Sequence, residues 1–237
     1  MMIEDEEDCP QSLEEVFHRL PIFDDLYLRM QGQNIALVDR FLYKLEDDAF
    51  SEWNGDENDR IPIEKVLFIS AISQLWVFGF YELIRTWREQ IRDIISYGDR
   101  LVVLAQKDPA LKEQRIQQQK GKLRKLSSGL LSEFEFESEQ GYYNYSLVEN
   151  NPEHLLLLKK TLSRCESFFQ MLELIRVNLA KHEIHNVPGS RVQAPGYARL
   201  DRVTGSLMWF VHKKDGSQIQ ITRREIPDQF RNLPLEK

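Results

Sequence analysis

The run Val66 to Tyr81, VLFISAISQLWVFGFY, most constrains what this chain can fold into. Only Ser70, Ser73 and Gln74 interrupt it, and Glu82 closes it. A helix that is apolar nearly all round belongs in the middle of a bundle, where neighbours cover every side. The run falls short of the roughly 20 apolar residues a bilayer span requires. It therefore reads as a buried helix of a soluble protein, with no membrane contact. The helical pattern extends from about Pro62, suited to a first helical position, to Tyr97. Past Tyr81 it carries Glu82, Arg85, Arg88, Glu89 and Arg92 among Trp87, Ile91 and Ile95, and Gly98 reads as its stop.

A second long helix opens at Asn151-Pro152, with Asn151 as N-cap and Glu153 in the first turn. It runs to about Ile184, before Pro188-Gly189. Residues 98–151 give the chain room to return, so helices 62–97 and 152–184 are expected to pack antiparallel. Leu13, Val16, Phe17 and Leu20 mark a short helix that Pro21 ends. A further pattern covers about 34–50, with Leu37, Phe41, Leu42 and Leu45 on one side. Trp53 to Arg60 reads as a polar loop. The stretch Lys112 to Lys125 is basic and Gln-rich, and the alternation over 134–145 fits either a short hairpin or an exposed loop.

From Gly205 the period changes to two. Leu207, Trp209 and Val211 alternate with Met208, Phe210 and His212, and Ile219 and Ile221 alternate with Gln218, Gln220 and Thr222. Asp215-Gly216 between the runs predicts a β-hairpin over 206–222, turning at Lys214-Asp215-Gly216. Trp209 should share its packed face with Ile219 or Ile221. The expected fold is mainly α, a helical bundle with two long antiparallel helices and a small C-terminal β-hairpin. Residues 1–10 read as a disordered acidic tail, 11–186 as the bundle and 187–237 as a C-terminal extension.

The net charge of -7 argues against a protein that coats nucleic acid over its whole surface. Cys9 and Cys165 give neither a disulfide framework nor metal-ligand spacing. With an acidic start unlike a signal peptide's, they predict a cytoplasmic, reducing location. No P-loop, nucleophile elbow or dinucleotide fingerprint is present, and no metal or cofactor is expected.

Chemistry concentrates at the end of the last long helix, Met171 to Asn186. At 100° per residue, Asn178, His182 and His185 continue the apolar stripe of Met171, Leu174 and Ile175, while Arg176 lies on the other side. Polar groups on such a stripe are costly unless paired or used. Arg176-Val-Asn-Leu-Ala-Lys-His182 resembles the motif of the HEPN superfamily, in which an Arg precedes a His by four to six residues near a helix end. Here five intervene, Val177 follows the Arg, and Asn178 comes one place later. The resemblance implies a bundle with two long antiparallel helices, a homodimer with facing motifs and, in a catalytic subset, RNA cleavage without metal. In such a site His182 would take the proton from a ribose 2′-hydroxyl. Arg176 would neutralise charge growing on the phosphate, and Asn178 would orient the imidazole. Because Arg176 points away from His182, a composite site across a two-fold axis would join them best.

Other roles fit the same residues. A His near a helix C-terminus interacts well with the last carbonyls, and Asn178 can bond a neighbouring helix. Glu82, Arg85 and Glu89 either support the site from the other long helix or form a surface ion-pair ladder. Trp76, Trp87 and Phe78 read as core, and His154 and His212 as surface. Between Asn186 and Arg224 seven basic residues face two acidic ones. Arg199, Arg202, Lys213, Lys214, Arg223 and Arg224, with aromatics interleaved, could contact a phosphate backbone, or block strand-edge pairing. Two function classes follow. One is a HEPN-like RNA-directed protein, possibly a metal-independent endoribonuclease. The other is a non-catalytic helical interaction protein using the Asn178/His182/His185 face toward itself or another protein.

Overall fold

Three long helices carry the fold in a computed structural model that describes residues 12–55, 60–107, 117–118, 146–148, 151–180, 198–213 and 215–235. The short α1 (Leu13–His18) precedes α2 (Leu26–Gly55), α3 (Ile63–Lys107) and α4 (Pro152–Ala180). After them come β1 (Arg199–Leu200), β2 (Leu207–His212), β3 (Gln218–Thr222) and α5 (Glu225–Arg231). Side-chain caps start the helices where the sequence offers them. Ser12 Oγ accepts from Glu15 N–H at 3.3 Å, and Asp25 Oδ1 from Leu28 N–H at 3.1 Å. Asn151 Oδ1 accepts from Glu153 N–H at 3.0 Å, as an N-cap should. The Pro62 carbonyl accepts the first bond of α3 from Val66, so Pro62 stands one place before the helix proper.

Helix α3 is the central element. Its ties to α4 run Lys159–Asp99 at 2.6 Å, Arg88–Glu166 at 2.7 Å and Phe169 against Tyr81 at 5.6 Å between centroids, which makes the pair antiparallel as expected. On the other side α2 is antiparallel as well. Lys65 meets Glu52 near one end, and further along Trp76 Nε1 donates to the Ile35 carbonyl at 3.0 Å. Gly98 does not stop α3, which continues to Lys107. A Cβ at Gly98 would lie 2.6 Å from Val148 and 2.9 Å from Leu155. The glycine permits close approach rather than ending a helix.

Two expectations about apolar faces are overturned. The run Val66–Tyr81 is not covered all round: Trp76, Val77 and Phe80 are buried, but Leu67, Phe68 and Leu75 are each more than half exposed. Its long neighbours flank only part of its circumference. In α2, Leu37 and Phe41 are 58% and 52% exposed, whereas the next residue, Leu42, is fully buried. The buried seam is Leu28, Gly32, Ile35, Asp39, Leu42, Glu46, Ala49 and Trp53, alternating steps of four and three residues, the spacing of a heptad repeat. Asp39 and Glu46 hold core positions because a partner from the C-terminus meets them there.

That C-terminal part is built into the core. The sheet is antiparallel in the order β1-β2-β3, and Trp209 and Ile221 pair across it on the buried face. The hairpin forms as predicted, with Gly216 at φ +83° in its turn and Lys213 N–H donating to Ser217 at 2.8 Å. Gly205, at φ +68°, sits where a Cβ would lie 2.7 Å from Phe50. Phe230 of α5 stacks among Phe17, Phe80 and Phe168, with centroids 5.0–5.2 Å away. The residues read as a C-terminal extension from 187 onward therefore share one hydrophobic core with the bundle wherever they are described.

Candidate functional site

The described end of α4 holds two of the three residues expected to carry catalysis. The Arg176 guanidinium lies over the Tyr81 ring, 5.0 Å from its centroid. Asn178 Nδ2 donates to the Leu174 carbonyl at 2.9 Å and to the His212 carbonyl at 3.1 Å, while Oδ1 accepts from His212 N–H at 3.0 Å. The carboxamide thus pairs with the backbone of β2 much as a neighbouring strand would, joining α4 to the hairpin. Both its donor hydrogens are used, so it is a structural tie and not a free group that orients an imidazole. His182 and His185 lie outside the described residues. Among the described residues, the Glu82, Arg85 and Glu89 side chains pair with one another. Arg85 bonds Glu82 at 2.8 Å and Glu89 at 2.7 Å, and all three side chains are well exposed. This is the surface ladder, with its guanidinium held above the ordinary arginine range by hydrogen bonds and charge from Glu82 and then Glu89.

The expected phosphate-contacting set divides. Arg199, Arg202 and Lys213 are exposed, with Arg202 4.9 Å from the Trp53 ring centroid, and Lys214 lies outside the described residues. Arg223 and Arg224 are corrected: they turn inward. The Arg223 side chain is fully buried and binds Glu46 twice, at 2.9 Å through Nε and 2.9 Å through Nη2, and Asp39 at 2.5 Å. Arg224 reaches Glu46 at 2.8 Å and Asp47 at 2.5 Å, and its guanidinium lies 4.1 Å from the Tyr43 ring centroid. Arg231 adds a contact of 3.3 Å to Asp39. Glu46 also accepts the Leu207 N–H at 2.8 Å. Three guanidinium groups thus meet three carboxylates, which is what makes their burial tolerable. Burial pushes the Asp39 carboxyl above its ordinary range, against the pull of Arg223. Burial opposes the charge of Arg223 too, but Glu46 and Asp39 more than offset it and hold the group above the ordinary arginine range. Sequence reasoning missed this cluster, although two carboxylates at heptad positions of one seam were a usable signal.

The other feature sequence reasoning missed is the open face of α2 and α3. Leu26, Met30, Leu37 and Phe41 lie on one side of α2 by their spacing, opposite the buried seam, and all are more than half exposed. Phe68 and Leu75 of α3 open on the same side. Leu45 and Asp48 of that α2 stripe share a groove of about 290 Å³ with Phe68 and Ile69. Elsewhere, burial of the Cys165 thiol pushes it up to about 12, which leaves it inert. Among the described residues no group of three His, Cys, Asp or Glu is placed to hold a metal ion. No family model matches the chain, and no curated protein or solved structure matches it significantly.

Proposed function

We propose that this chain is a helical interaction protein whose working surface is the open apolar face of α2 and α3. The observation that carries this reading is the inversion of α2. The helix buries Asp39 and Glu46, and exposes Leu26, Met30, Leu37 and Phe41. Isolated exposed apolar residues are ordinary, but a contiguous face of them marks a binding surface or an aggregation liability. The bland alternative is a helix that simply tolerates exposed leucines. It leaves unexplained why the apolar run of α3 opens onto the same side.

Asn178 is not part of this face, since its carboxamide is taken up by the hairpin. By length and composition Ile63–Val103 could cross a bilayer, but half of its most apolar window is buried within the fold, as in a core helix. A protein partner met in a cytoplasmic, reducing setting fits a chain whose two cysteines offer no disulfide framework by their spacing and whose Cys165 is a buried free thiol. The competing proposal, a metal-independent HEPN-like ribonuclease, draws on the Arg176–His182 motif alone.

One experiment separates the two. Purified chain is incubated with mixed cellular RNA in EDTA, and in parallel used as bait for protein partners, with Phe41→Glu and His182→Ala as controls. The interaction reading expects intact RNA and capture that Phe41→Glu abolishes. RNA cut by wild type but not by His182→Ala would overturn it in favour of the nuclease.

A further inference from the structure

We infer that the open face is covered by a second copy of this chain, with α2 of each protomer packed over α3 of the other around a two-fold axis parallel to the helices. The inference rests on the interaction reading and names its partner. Its first support is area. Met30, Leu37, Phe41, Phe68 and Leu75 are each more than half exposed, and Leu26 and Tyr27 extend the face at one end. Half-exposed side chains of this size leave on the order of 100 Å² each in contact with water. The face then presents roughly 700 Å², close to the ~800 Å² each partner contributes to a standard protein–protein interface. Solvent-exposed patches on monomers are typically about 300–600 Å².

The second support is charge, and it selects the partner and the axis. Exposed Arg29 and Arg40 flank the apolar stripe of α2 and exposed Lys44 lies within it, while exposed Glu82 and Glu89, bridged by Arg85, continue the Phe68–Leu75 stripe of α3 at heptad spacing. A two-fold axis along the helices lays Arg29 of one copy over the Glu82–Glu89 stretch of the other, twice, while Arg40 and Lys44 fall level with the uncharged Gln74 and Ser70. An axis across the helices would lay α2 on α2 and set Arg29, Arg40 and Lys44 against like charge. The register that places Ile35 against Gly79 sets Arg29 level with the Glu82–Glu89 stretch. At the far end Lys65 sits among Asp48, Glu52 and Glu64, so both edges there are acidic and their apposition opposes the pairing, only partly offset by Lys65. A face complementary to itself in both shape and charge is what an isologous contact requires.

The test is the solution mass of the full chain by sedimentation equilibrium, from about 1 to 100 µM, the range of moderate interfaces. Wild type is expected at twice 28.1 kDa in the upper part of that range. Phe41→Glu and, independently, Leu75→Glu should remain at 28.1 kDa with wild-type circular dichroism. Both positions are solvent-exposed, so either variant alone suffices if the other misfolds. Arg29→Glu should weaken association roughly tenfold because each change acts twice in a symmetric interface. Adding Glu89→Arg to the same chain should restore it, which non-specific stickiness would not do. Wild type at 28.1 kDa throughout overturns the second copy. If Phe41→Glu then still abolishes capture of another protein, the interaction reading stands with a different partner. If wild type instead floats with vesicles of phosphatidylcholine and phosphatidylserine and Phe41→Glu does not, lipid covers the face and the second copy is rejected.

Discussion

Glu46 and Asp39 sit in one buried seam and look alike in sequence, yet the structure gives them unequal weight. Glu46 accepts hydrogen bonds from Arg223, Arg224, Ser206 and the Leu207 backbone, so removing it takes the bidentate partner from the buried Arg223, one of two carboxylate partners from Arg224, and the acceptor from a buried N–H. Glu46→Ala is expected to cost about 3–5 kcal/mol, measured by urea unfolding. Among the described residues Asp39 is held by Arg223 and Arg231, and burial already pushes its carboxyl up. Asp39→Asn is expected to cost less than Glu46→Ala at neutral pH. The sign of its pH dependence follows from linkage. A carboxyl whose folded-state pKa is raised takes up its proton first in the folded state, so wild type gains stability relative to Asp39→Asn as pH falls through the raised value. That gain is complete below the ordinary value of 3.8. Urea midpoints of both proteins at neutrality and near pH ~4 check this. A gap that moves against wild type on acidification would contradict the buried-carboxyl account.

At the scale of elements, the helices and the hairpin were legible because period and turn chemistry are local. Asn151, Asp215-Gly216 and the alternation around Trp209 each did what their residue types dictate. Gly98 was misread because its reason is not local: it lies in a helix interior, and Val148 and Leu155 approach it from elsewhere in the chain. Gly98→Ala should raise helix propensity yet lower stability by roughly 1–3 kcal/mol through overpacking. A thermal melt with a raised midpoint would remove the close-packing explanation. The side of α2 that faces inward was hidden for the same kind of reason. Leu37 and Phe41 made the more apolar stripe, and nothing near Asp39 or Glu46 announces that Arg223, 184 and 177 residues away, will neutralise them. The Asn178 carboxamide, read as orienting an imidazole or bonding a neighbouring helix, instead meets a strand 34 residues further on.

For the whole molecule, the C-terminal segment decides which way the bundle faces. Arg223 and Arg224 fasten it to α2, Phe230 plugs the centre, and the apolar residues left over on α2 and α3 are turned to solvent. The central claim is therefore about orientation: α2 shows its leucine and phenylalanine stripe outward and keeps its carboxylates in. Two adjacent substitutions test it most directly. Phe41→Glu and Leu42→Glu place the same charge one residue and about 100° apart, which this account divides between solvent and the buried seam and the sequence pattern alone puts on one apolar stripe. Equilibrium unfolding should find Phe41→Glu folded and within about 1 kcal/mol of wild type, as for an exposed site. Leu42→Glu, which buries an unpaired charge, should lose several kcal/mol or fail to fold. Two variants destabilised alike, or Phe41→Glu the worse of the two, would contradict the inverted helix and the interaction face that depends on it.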